Sequence, residues 1–535
     1  MIALLLAASL AEQFNPVEGK FASAEELKLE APALDTANWT QFAPVEITVP
    51  LTGTWSNPFD PTQIEVRALA IASDESYAYL PGFLDQDFVV TSGQGGTYLA
   101  PSGPPTWKIR FAPWRDRATE VTLEAIDSKS RARLKPFKKA AEKASGPGFA
   151  FTPKGSKYFT RGGTSFLPVG VTLAPKQSIA ATVARIEELA KQGVTLCRLV
   201  VSPDWLGLEW TSGEGYFGLG KYNLQNAWRM DRILDAAAKS KICVLFTLGN
   251  TEELDSAWNQ NPYSSAKGGP CAASEDFWTN LKARIQYKKK LRYWVARING
   301  SPSAFGFESY VSAPAYWSHE MAEDIRDLHV YGIPFGAHLG DTTFWNLDAV
   351  GFRLVTAEFK DSPSATFTSV VSAVQKGRDS CGKPVLVLMV NAAKDTADAR
   401  IANWASLASG GAGGVLFADS PTKDWSGSFA VGAVTSKYKW HERKFELQTP
   451  TVASGFLATG IADENTGLVF VYESTEPEQK TVTVAVRRGG TYVVEWLDPS
   501  TGGVSKSEEV RAQDSKLTLV MPNTGKEHVF LYRRK

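Results

Sequence analysis

The chain has 535 residues, more than one ordinary domain holds, and is 43% hydrophobic and 21% charged, which excludes a collagenous or broadly disordered protein. Its 57 basic and 57 acidic side chains cancel, so it lacks the positive field that draws phosphate backbones, and no nucleic-acid partner is expected. Sixteen Trp and sixteen Tyr supply cores and sheet faces, and also flat rings of the kind that stack on the C–H face of a sugar.

The first residues, "MIALLLAASLAEQF", carry an apolar run from Ile2 to Ala11. It is too short to span a bilayer. It reads as the apolar region of a secretory signal, with Ser9 and Ala11 as small residues before a cut near Glu12, although a basic stretch before it is missing. Residues 1–11 are therefore expected to be a signal segment, and the mature protein to be secreted, periplasmic or at the cell surface. No later stretch is long and apolar enough to read as a transmembrane segment. Cys197, Cys243, Cys271 and Cys381 fit no zinc spacing. Cys197 and Cys243 lie in apolar, strand-like runs and read as buried thiols, while spacing fixes no disulfide.

Over 37–127, "VEITVPL", "IEVRALAI", "TWKIRFAP" and "TEVTLEAI" read as short strands, with "NPFDP" and "GQGG" as turns. That pattern predicts a small β-sandwich. The run "SKSRARLKPFKKAAEKASGPG" within 128–150 is basic and ends in Gly-Pro-Gly, so it reads as a solvated linker. From 151 to 440 the pattern alternates. "FLPVGVT", "VTLCRLVV", "ICVLFTL", "AFGFESY", "IPFGAHL", "LDAVGFRLV", "PVLVLMV" and "GGVLFAD" read as strands, most with amphipathic helices between them. Ser318 reads as a helix N-cap. Strand–helix units of this number predict an α/β chain with a (β/α)8 TIM barrel. A doubly wound sheet is the alternative, and no Gly-rich phosphate fingerprint follows the first strand. Strands at "GLVFVYES", "TVTVAVRR", "TYVVEWLDPSTG", "KLTLVMP" and "HVFLYRR" predict a second β-sandwich over 448–535.

Several phrases resemble one family. "NPFDPTQIEVRA", "LPGFLDQDF" and "WKIRFAP" are similar to the immunoglobulin-like domain of unknown function that often precedes cellulase- and mannanase-like barrels. "FTRGGTSFLPVGVT", "KYNLQNAWRMDRILDAAAKSKICVLFTL", "NPYSSAKGGPCAASEDFW" and "KLRYWVARINGSPSAFGFE" resemble those barrels themselves, which are glycoside hydrolases with two catalytic glutamates. "YVVEWLDPSTGGV" is similar to the family's C-terminal sandwich. The resemblance implies a retaining hydrolase in which one carboxyl protonates the leaving oxygen and another attacks the sugar. Both would stand at the C-terminal ends of barrel strands.

The residues depart from that pattern at both places. The acid/base of an Asn-Glu pair falls on Ser312, and the nucleophile falls on Met389. Neither side chain can do a tuned glutamic acid's proton transfer. No catalytic residue is therefore expected, and the protein reads as a pseudoenzyme. Arg198 matches the arginine that supports the family's nucleophile, here with nothing obvious to support. The sixth strand's His-x-Tyr falls on Arg353 and Val355. Fallback carboxylates are Glu308, Glu358, Asp395 and Asp419. Glu308 precedes Ser312 by four residues, about 13 Å of strand, which would place it toward the barrel floor. The loops holding Asp204 to Glu214 and Glu252 to Asp255 add further acids. His319, His329, His338, His441 and His528 form no metal-ligand spacing, so no metal or cofactor is expected.

A binding surface is expected to outlast the chemistry. Trp205, Trp210, Tyr216, Trp258, Tyr263, Trp317 and Trp345 fall in segments after barrel strands and are expected, with Arg198, to line the mouth. The leading reading is an exported glycoside-hydrolase-like protein that binds a polysaccharide, an oligosaccharide or a protein partner there without hydrolysis. The alternatives are an active retaining glycosidase using relocated carboxylates and a non-catalytic envelope or matrix interaction protein.

Overall fold

The computed structural model describes residues 14–93, 96–144, 146–174, 178–338, 345, 348–477, 479–523 and 525–535. The expected signal segment, 1–11, lies outside the described residues. Eight parallel strands close into a barrel: β1 (Gly170–Thr172), β2 (Leu196–Leu199), β3 (Cys243–Thr247), β4 (Ala304–Glu308), β5 (Phe335–Ala337), β6 (Phe352–Ala357), β7 (Val385–Met389) and β8 (Val415–Ala418). β1 pairs with β8 and so completes the ring. The strands are short and almost wholly apolar because both faces are covered, the inner by the barrel core and the outer by helices.

The longer helices among the described residues are α1 (Ile179–Lys191), α2 (Leu224–Lys239), α3 (Leu281–Ile298), α4 (Ala315–Leu328), α5 (Pro363–Ser380) and α6 (Thr396–Ala408). Side chains of Ser178, Asn223, Asn280, Ser362 and Asp395 cap backbone N–H groups at five of their starts. The exception is α4, which starts after Pro314. Ser318, expected as its cap, lies inside the helix, buried, with its hydroxyl 2.7 Å from that of Ser309. Proline fixes the extended backbone before this helix and so sets its start without a side-chain cap.

An N-terminal domain built on a nine-stranded sheet packs beside the barrel. It starts earlier than 37, because Ser23–Leu29 pairs with Leu51–Trp55. It also ends later than 127. Residues expected as a basic linker form two of its strands, Arg131–Arg133 and Phe137–Glu142, both paired with Ala118–Asp127. Along Phe137–Glu142 the burial alternates, with Lys138 and Ala140 out and Ala141 in. The charge run is the solvent face of a strand, and period-two alternation outweighs net charge. A six-stranded and a three-stranded sheet form the C-terminal sandwich, which begins with Glu446–Gln448.

Ionic contacts fasten the domains together. Arg297 of α3 reaches Asp231 of α2 and Asp85 of the N-terminal domain, both at 2.6 Å. Arg110 meets Asp231 at 2.9 Å, and Lys108 meets Asp85 at 2.8 Å. On the other side, Arg400 of α6 grips both oxygens of Glu527 at 2.9 and 2.6 Å. Among the described residues, no helix is long and apolar enough to cross a membrane. All four cysteines are buried and unpaired.

Candidate functional site

The mouth of the barrel is the end where its strands finish. Glu308 is the last residue of β4, level with Thr247 of β3 and Gly336 of β5. It therefore stands at the mouth end of its strand and not toward the floor. The chain turns away just beyond it, so the four residues to Ser312 run through a turn and not down a strand. Ser312 is exposed in that turn, and Met389, the last residue of β7, is buried.

Glu308 is 0% exposed. Its Oε2 accepts from Arg198 Nε at 2.6 Å and its Oε1 from Arg198 Nη2 at 2.7 Å. His338 Nε2 lies 2.8 Å from the same Oε1. Burial would push this carboxyl up, but the Arg198 guanidinium and the His338 ring outweigh it and hold it at about 2. So Arg198 does have a partner, and it is Glu308. A carboxylate kept ionised and sealed from solvent can neither donate a proton at neutral pH nor reach a sugar.

The other fallback carboxylates are committed elsewhere. Asp419 accepts both arms of Arg185 at 2.9 and 2.8 Å and the Trp425 indole N–H at 3.0 Å. Asp395 caps α6 through the Asp398 N–H. Glu358 pairs with Lys360 on the surface. Arg353 is the second residue of β6, at its floor end, so it does not occupy the mouth position expected of it.

A second cluster lies over the loop after β3. Glu253 closes a capping box: its Oε1 accepts from the Asn250 N–H at 2.8 Å, and Tyr310 hydrogen-bonds its carboxyl. Burial pushes this carboxyl up to about 7, against Lys290, the Asn250 N–H and Tyr310, with Glu209 adding to the rise. Glu209 is buried and held by the Gly220 N–H at 2.9 Å, the Tyr263 hydroxyl at 3.1 Å and Lys290 at 3.4 Å. Tyr310 fits only because residue 249 is glycine, since a Cβ there would lie 2.1 Å from the tyrosine oxygen.

Packing claims most of the aromatics expected at the mouth. Trp317 is 0% exposed and joins Tyr263, Phe277, Trp278, Tyr287 and Tyr310 in one aromatic cluster of mostly edge-to-face contacts. Trp205 and Trp210 are buried. Trp345 is also buried, beside Arg353 at the floor end of β6 and away from the mouth. Tyr216 spends its hydroxyl on the carbonyls of Pro203 and Gly207 at 2.6 and 3.0 Å. Trp258 and Trp278 remain half-buried and Tyr316 is exposed. Sequence reasoning missed His338, Glu209 and Lys290 as members of these clusters. The one available signal was His338's place directly after the fifth strand.

Neither a family model nor a curated protein sequence matches the chain. Solved structures do match in fold. A candidate glycoside hydrolase from Bacteroides vulgatus superposes with a TM-score of 0.59 at 12% identity, covering 93% of this chain and 100% of that one. A family 5 glycoside hydrolase from the same organism superposes with a TM-score of 0.50 at 12% identity, covering 72% and 94%. The architecture, a closed parallel barrel with flanking β-sheet domains, is thus one that these two structures share, and at such identity the likeness concerns the fold alone.

Proposed function

We infer that this chain is an exported glycoside-hydrolase-like protein that binds glycan on the mouth side of its barrel without cleaving it. The observation that carries the reading is the state of Glu308, a carboxylate at the end of β4 that is buried and held by Arg198 and His338. Glycoside hydrolysis needs two carboxyl groups open to the sugar from opposite sides. Ser312 and Met389 occupy the two positions where the resemblance would put them. The test is direct. The purified chain is incubated with soluble β-glucan, galactomannan, glucomannan and xylan, and both retention and reducing-end release are measured. Retention without release is expected, and release of reducing ends overturns the reading.

One observation favours a hydrolase with relocated acids. The raised Glu253 carboxyl has the protonation behaviour of a general acid. On that reading Glu253→Gln abolishes a measurable release, and an unchanged rate in the variant rejects it.

A further inference from the structure

The long hairpin of the N-terminal domain, Tyr77–Gly93 and Gly96–Phe111, extends to the barrel rim and leaves a cleft of about 560 Å³ between them. That volume lies in the range of small-ligand sites. Val90, Tyr98 and Leu99 form the hairpin wall. Asp204 and Glu214, from the loop after β2, and Arg229, from the first turns of α2, belong to the barrel wall.

The walls are fixed to each other. Trp228 of α2 donates its indole N–H to Asp87 at 2.8 Å, and Phe88 packs against its ring at 6.3 Å. Next to them, Arg297 binds Asp85. The cleft is therefore preformed, which lowers the ordering cost of binding.

Its chemistry is mixed in a particular way. Arg229 donates to the amide oxygens of Asn226 at 2.6 Å and Gln225 at 3.4 Å. Among the described residues no carboxylate lies within ion-pair distance of it. Glu214 accepts from the Gln225 amide at 2.9 Å through one oxygen. An anionic ligand would meet Glu214, and a cationic ligand would meet Arg229. A hydroxyl both donates and accepts, so it suits the guanidinium and the carboxylate together. Opposite them stand an aromatic ring and an aliphatic side chain, Tyr98 and Val90, each 55% exposed. Such a surface suits the C–H face of a sugar ring.

We propose that this cleft binds a neutral glycan chain, with sugar hydroxyls shared between Arg229 and Glu214 and a ring face laid on Tyr98. The proposal rests on the glycan-binding reading above and gives it a place beside the barrel's centre and a ligand class. A hollow of about 310 Å³ over α1 and α2 shares Val90 and Ile179 with the cleft. A chain longer than the cleft thus has a path out.

The test uses the full chain in affinity electrophoresis and calorimetry with glucomannan, galactomannan, mixed-linkage β-glucan and xylan, and with polygalacturonate as the charged comparator. At least one neutral polysaccharide is expected to bind, and Tyr98→Ala and Arg229→Gln are each expected to weaken it about tenfold. Tyr98→Ala removes an exposed side chain, so its thermal unfolding should match the parent. Full binding by both variants overturns the cleft while the glycan reading stands. Binding of no polysaccharide overturns that reading and the cleft with it. Preference for polygalacturonate overturns the neutral-chain assignment.

Discussion

Inside the barrel, Arg198, Glu308 and His338 meet around one carboxylate. At the domain junction, Arg297, Arg110 and Lys108 meet Asp231, Asp85 and Glu46. Both clusters are largely buried, and both balance charge. The first is supplied by three neighbouring segments of one domain and fills space at the end of β4. The second draws on two domains and decides where the hairpin lies. One arrangement withholds a carboxylate from the barrel mouth, while the other builds a new wall beside it. On the proposed reading, the surface offered to a glycan therefore lies on the barrel's flank and not at its centre.

Breaking the junction should have the largest effect. Arg297→Ala leaves Asp231 and Asp85 short of a buried cation, at a cost of about 3–5 kcal/mol. Chemical unfolding should shift to lower denaturant, with the N-terminal domain separating first. A parent-like midpoint would mean that the junction contributes nothing to stability.

The interior cluster should show itself through pH. The Glu308 carboxyl falls from 4.5 to about 2 on folding. A depressed carboxyl contributes stability that is full above its unfolded value and is lost as pH drops through the folded one. The contribution is about 3 kcal/mol, lost between roughly pH 4.5 and pH 2. Glu308→Gln should flatten that part of the stability profile, and a profile identical to the parent's would break the comparison.

Glu253 has the opposite sign. Its carboxyl rises from 4.5 to about 7, so the native state holds a proton that the unfolded chain releases. Stability is full below about pH 4.5 and declines as pH rises toward 7. The side chain is only half-buried, so solvent screening leaves about 1 kcal/mol of the effect. Glu253→Gln should remove the decline, measured as the difference in unfolding midpoint between pH 5 and pH 8. The smallest effect is expected from Lys138→Ala. Its side chain lies on the solvent face of Phe137–Glu142, so thermal unfolding should stay within about 0.5 kcal/mol of the parent.

The eight barrel strands were legible because each is a short apolar run, most of them set between helices of clear period. The sandwich strands were legible from alternation, and the N-terminal domain was misjudged at its start, where Ser23–Leu29 precedes residue 37, and where a charge run hid it at 128–150. The site was less legible. Arg198 and Glu308 could each be singled out, but they lie on different strands with β3 between them, and nothing local marks them as a pair. Their pairing depends on closure of the sheet. Burial had the same character: Trp317 and Tyr316 are adjacent in the chain, yet one is in the core and the other exposed.

By itself, then, the sequence determined the barrel, its two flanking β-domains and the absence of glutamate at positions 312 and 389, because periodicity and residue identity are local properties. Only the tertiary structure decided that Glu308 is sealed by Arg198 and His338, that most mouth aromatics are core, and that a hairpin from another domain forms a cleft with the rim. Those outcomes depend on which surfaces meet after packing, where burial and ion pairing between distant residues are set.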